Sequence, residues 1–155
     1  MNEAHMKQAV ELAVQNVKNS TGGPFGAVIV KDDQIIARGT NCVTSTNDPT
    51  AHAEVVAIRQ ACRHIKDFSL TGCEIYTSCE PCPMCLAAIY WARLDKIFYS
   101  GTKIDAQIAG FDDDFIYREM ARDIKDRKLS MVRILPNEAL PAFDLWRHHD
   151  NKIPY

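Results

Sequence analysis

The chain has 155 residues, 46% of them apolar and 25% charged, with a formal net charge of −2. That length suits one domain, and that apolar share fills one core without help from a metal or disulfides. The charge balance gives no general attraction to a phosphate backbone or an anionic membrane, and no apolar run is long enough to span a bilayer.

The polar start "MNEAHMKQAV" lacks the apolar centre of a signal peptide, and six cysteines without such a signal suit reduced thiols in the cytoplasm. Met6, Ala9, Val10, Ala13, Val14 and Val17 recur at helical spacing and predict an amphipathic first helix, ended by "STGG". "GAVIVKDDQIIARGT" predicts a hairpin turning at Asp32-Asp33, and the polar stretch from Asn41 to Thr50 reads as a loop. Val55, Ile58, Ala61 and Cys62 restore helical spacing from Ala51 to Ile65. "CEIYTS" is a strand, Pro81 to Trp91 a short apolar helix with Pro81 at its first position, and "KIFYS" a strand. "GFDDDFIYREMAR" reads as loop then helix, "SMVRIL" as the last strand, Glu138 to His148 as the last helix, and "HDNKIPY" as a polar tail. This order predicts the α/β class: a three-layer α/β/α sandwich around a five-stranded mixed sheet, in a single domain over residues 1–155.

In "CEPCPMC", Cys79, Cys82 and Cys85 stand at equal spacings of three. Thiolate and imidazole ligands favour zinc. Three cysteines and a histidine would close a structural site, whereas two cysteines and a histidine leave a position for water. Cys82 and Cys85 share one face of a helix start, where the helix dipole stabilises thiolates. Cys79 ends a strand on the same side as Ile75 and Thr77, which favours packing over coordination. His52, in "TAHAEVVA", begins the preceding helix and is the expected third ligand. Two thiolates and a neutral imidazole keep a zinc centre neutral overall, which favours ionising a water. Glu54 stands beside it as a carboxylate able to move protons. Cys42, Cys62 and Cys73 read as small apolar residues, Trp91 and Trp146 as packing residues, and His5 and His64 carry no expected role.

"HAE" followed by "PCPMC" resembles the H-x-E…P-C-x-x-C signature of the zinc-dependent nucleobase deaminases. The resemblance implies that His52, Cys82 and Cys85 hold Zn2+, and that Glu54 moves a proton from water to a ring nitrogen and then to the departing amine. Within this family the stretches "GGPFGAVIV", "NDPTAHAEV", "YTSCEPCPMCLAAIYWAR" and "GFDDDFIYREM", with Tyr155, are most similar to the bacterial guanine deaminases of the cytidine-deaminase fold. By that resemblance the substrate is a small purine base. Phe25 stacks on it, Asn41 hydrogen-bonds it and Asp113 takes its N–H edge. Tyr155 closes over the site from a partner subunit, in a homodimer exchanging a C-terminal segment of about residues 138–155. Guanine presents donors at N1 and N2, so an acidic acceptor suits it. The alternatives are a tRNA adenosine deaminase, which shares both motifs but needs basic surface that 18 Lys and Arg against 20 Asp and Glu do not favour; a cytosine-type deaminase; and a non-catalytic zinc module closed by Cys79.

Overall fold

The computed structural model describes residues 1–155 and divides into two compact units, 1–117 and 118–155. The first unit holds a four-stranded sheet in the order β2-β1-β3-β4. Its strands are β1 (Gly26–Lys31), β2 (Gln34–Thr40), β3 (Cys73–Cys79) and β4 (Lys96–Gly101). β1 pairs antiparallel with β2 and β3, and β3 pairs parallel with β4 through a helical crossover, so the sheet is mixed. The hairpin turns on Asp32 and Asp33, whose φ angles of 49° and 59° give the left-handed two-residue turn that matches strand twist.

Helix α1 (Glu3–Lys18) covers one face and α3 (Ala53–Ile65) with α4 (Pro83–Trp91) covers the other. Strand alternation sorts the core accordingly. Val28, Val30 and Tyr76 pack with Ala9, whereas Ala27, Ile29, Ala37 and Ile75 pack with Ala53, Ala57 and Ile89. Each layer docks through a glycine. A Cβ at Gly26 would lie 2.3 Å from the Ala9 carbonyl oxygen, and one at Gly39 would lie 2.1 Å from that of Ala53. Backbone thus touches backbone, and the start of α3 is fixed against β2.

This close approach corrects the predicted face of α1. Its buried residues are His5, Ala9, Ala13 and Asn16. Val10, Val14 and Val17 are 37–51% exposed. Only small side chains fit over Gly26, so alanines turn inward and the larger valines outward. His5, given no role by its sequence context, is buried and bonds Asp33 at 2.8 Å, tying α1 to the hairpin turn.

The stretch read as a loop after Asn41 contains a single helical turn, α2 (Val43–Thr46). After β4 come α5 (Lys103–Ile108) and α6 (Asp113–Ala121), then α7 (Leu140–Arg147). The predicted fifth strand does not form. Residues 130–135 join no sheet, and Leu135 takes a φ of 48°, incompatible with a strand. An extended segment needs a neighbouring strand to become one, and Val132 and Ile134 here are 78% and 76% exposed. In the second unit no residue is buried. No helix is long and apolar enough to cross a membrane.

Candidate metal and catalytic site

Two helix starts build the site. His52 is the N-cap of α3, and Cys82 the N-cap of α4 with Pro83 following at the helix start, so Pro83 rather than Pro81 opens that helix. The loop that delivers His52 is held by Asp48, whose carboxylate accepts from the Thr50 N–H at 2.8 Å and hydroxyl at 2.6 Å and pairs with Arg59 at 3.5 Å. His52 N–H then donates to the Thr50 carbonyl at 2.8 Å, and Cys42 N–H to the Ala51 carbonyl at 2.9 Å.

His52 Nδ1 lies 3.6 Å from Cys82 Sγ and 3.5 Å from Cys85 Sγ. The three ligand atoms all fall within 4.8 Å of one another. Tetrahedral zinc with usual Zn–S and Zn–N lengths holds such atoms about 3.6 Å apart. The donor set therefore fits zinc in chemistry and in spacing. Cys82 is lowered to about 4, first by hydrogen bonding from the Cys85 thiol and then, against burial, by His52. Cys85 is pushed up by donating that bond and by its burial. Metal binding would require both thiols to be deprotonated. His52 is raised, first by its bond with Cys82.

Cys79 stands apart from this set. Its thiol contacts the Thr102 carbonyl at 3.4 Å, and burial followed by the Asp113 charge pushes it up to about 11. It stays a neutral thiol on the strand face shared with Ile75 and Thr77.

Glu54, in the first turn of α3, is 7% exposed. Burial raises its carboxyl, with the Cys82 charge adding to the effect. Asp113 begins α6 and is half-buried; burial raises it, the Cys82 charge adds, and His52 opposes. Its charge acts on His52 in return.

Phe25 is half-buried against the α3-side core and meets Phe111 edge-to-face at 4.8 Å. The backbone ties Phe25 to Asn41, whose N–H donates to the Phe25 carbonyl at 3.2 Å. Asn41 Oδ1 accepts from Val43 N–H at 3.3 Å and Gly23 N–H at 3.5 Å, leaving Nδ2 as its donor without a protein partner. Tyr155 lies in the second unit and is 74% exposed.

Sequence reasoning missed two neighbours. Tyr117 donates from its hydroxyl to the Pro81 carbonyl at 2.7 Å, pinning α6 to the cysteine loop. Glu80 accepts from Lys103 N–H at 3.1 Å. Neither stands at a motif spacing; each acts across the fold.

Paired helix starts that offer one imidazole and two thiols beside a buried carboxyl, on a three-layer sandwich, define the zinc-binding deaminase class. The profile of the cytidine and deoxycytidylate deaminase zinc-binding region matches residues 1–101, and the chain belongs to this family. It is 52% identical over 153 residues to the guanine deaminase of Bacillus subtilis strain 168, covering 99% of this chain and 98% of that one. The X-ray structure of a Bacillus subtilis guanine deaminase superposes with a TM-score of 0.96 at 52% identity, over 100% of this chain and 99% of the other. A guanine deaminase structure from Nitrosomonas europaea gives a TM-score of 0.69 at 32% identity, over 73% and 65% of the two chains. The tRNA-specific adenosine deaminase of Aquifex aeolicus is 47% identical over 77 residues, covering 50% of this chain and 51% of that one.

Proposed function

We propose that this chain is a zinc-dependent deaminase of guanine, converting guanine and water into xanthine and ammonia. The full-length similarity to the Bacillus subtilis guanine deaminase carries the reading. The adenosine deaminase of Aquifex aeolicus aligns with only half of the chain, and a net charge of −2 offers little for an RNA backbone. The test is ammonia release by zinc-replete protein offered guanine, guanosine, adenine, cytosine and a tRNA separately. Guanine alone should release it. Release only from tRNA or cytosine would overturn the substrate while keeping the chemistry.

His52, Cys82 and Cys85 would hold the zinc. When bound, it supplies the Lewis acidity that makes water a nucleophile near neutral pH. Glu54 would take one proton from the attacking water and pass it to N3, beside C2, and would then carry the second proton, from the new C2 hydroxyl, to the amino group, which leaves as ammonia. Its burial keeps the carboxyl out of bulk solvent, so the proton passes between groups inside the site. Asp113 accepts from the N1–H and N2–H donors of guanine. Asn41, with Nδ2 free to donate, serves an acceptor on the base. Phe25 offers its ring for stacking, and Tyr155 of a partner copy covers the pocket.

The same reading includes a homodimer in which the C-terminal segment of one copy covers the other. Leu129, Val132, Ile134, Phe143 and Leu145 are all more than 60% exposed, a burden of apolar surface that a second copy would cover. Sedimentation should show a dimer, and removal of residues 150–155 should lower turnover far more than thermal stability. A monomer, or unchanged turnover after that deletion, would remove Tyr155 from the site. Six free cysteines suit a reducing cytoplasm.

A further inference from the structure

We propose that Asn16, on α1 and remote in sequence from every motif, is a positioning residue that sets the substrate pocket of the proposed guanine deaminase, on which reading it rests. Asn16 is 4% exposed, the last residue of the buried face of α1. Its Nδ2 donates to two carbonyls on different loops, those of Gly23 at 2.8 Å and Asn41 at 2.9 Å. Its Oδ1 accepts the Thr21 hydroxyl at 2.7 Å. Both amide hydrogens and the oxygen are therefore committed.

The two carbonyls are those that fix the substrate-facing groups. The Gly23 carbonyl also accepts from Phe25 N–H at 2.8 Å, and the Phe25 carbonyl accepts from Asn41 N–H. Gly23 N–H in turn donates to Asn41 Oδ1, which turns the Asn41 amide so that Nδ2 remains to donate. A closed circuit of hydrogen bonds runs from Asn16 through Gly23, Phe25 and Asn41 and back. The amide of Asn16 is what joins its two loops to the helix. No other side chain does this. Aspartate has the shape without the donors, glutamine is one methylene too long, and leucine would leave the Asn41 carbonyl unpaired and the Gly23 carbonyl with Phe25 N–H alone.

Asn16→Asp tests the assignment because it keeps the shape and removes both donors. KM for guanine should rise about tenfold or more while zinc content stays stoichiometric, since displacing a positioned group by about 1 Å can cost roughly 10²-fold. The deciding measurement is a double-mutant cycle with Asn41→Ala. If Asn16 acts through Asn41, adding Asn16→Asp to Asn41→Ala should lower kcat/KM by less than about threefold, because coupled residues are not additive. If Asn16→Asp does not fold, Asn16→Ser, which keeps one donor, enters the same cycle with the same expectation. Equal losses in both backgrounds, or a lowered melting temperature with KM unchanged, would overturn the role of Asn16 alone. A wild-type protein silent on guanine would overturn the deaminase reading and this proposal with it.

Discussion

Replacing Glu54 with glutamine should leave one zinc per chain and lower kcat by about 10²- to 10⁴-fold, the usual contribution of a positioned general acid–base. The substitution is nearly isosteric, and the cluster that could hold a metal is made by His52, Cys82 and Cys85, so zinc retention should not change. What is lost is the capacity to accept a proton. Glu54 has no solvent-exposed substitute, because the group is 7% exposed and sits in the first turn of α3, two residues from His52. Stability should hold or rise, since a neutral amide replaces a carboxyl whose charged form is disfavoured by burial. Metal content by elemental analysis and turnover on the same preparation separate the outcomes. Zinc retained with turnover within tenfold of wild type would remove Glu54 from proton transfer. Zinc lost together with turnover would make it a structural support of the metal site.

The metal cluster was legible because helix starts announce themselves locally. His52 and Cys82 each precede a helical stretch, and a spacing of three at an N-cap puts Cys82 and Cys85 on one side whatever the rest of the fold does. The set-aside of Cys79 came from strand alternation, which is equally local. The hairpin turn was legible for the same reason, since Asp32 and Asp33 sit between two β-prone runs and aspartate tolerates the left-handed region.

What sequence reasoning missed depends on contacts between distant segments. The valine stripe of α1 has helical period, yet it faces outward because Gly26 brings β1 against Ala9 and Ala13 so closely that a valine would not fit. Periodicity gives the existence of a face but not which neighbour waits there. Asn16 follows Ala9 and Ala13 at helical spacing, and a polar residue in a buried stripe was the available signal for its two carbonyl bonds. The segment from Ser130 to Leu135 has the composition of a strand, but a strand exists only with a partner, and composition does not supply one.

Replacing Asp113 with asparagine should lower kcat/KM for guanine by about 10³-fold or more, a loss in the range reached when a site built for a polar edge meets the wrong partner. A carboxylate presents only acceptors, matching the N1–H and N2–H donors of guanine. Asparagine keeps one acceptor and sets an NH2 group against a donor, so one bond is lost and a repulsive contact replaces it. The carboxyl is within electrostatic reach of Cys82 and His52, so its removal also relieves the thiolate of a like charge and should leave zinc bound at least as well. Asp112→Asn serves as the control, because Asp112 neighbours Asp113 in the acidic run but is exposed; it should stay within about threefold of wild type. The pattern to look for is a fall in kcat/KM for guanine with full zinc occupancy in Asp113→Asn alone. Equal losses in both variants would mean that the acidic run acts by its overall charge, and no loss in either would place the reading of the purine edge elsewhere in the pocket.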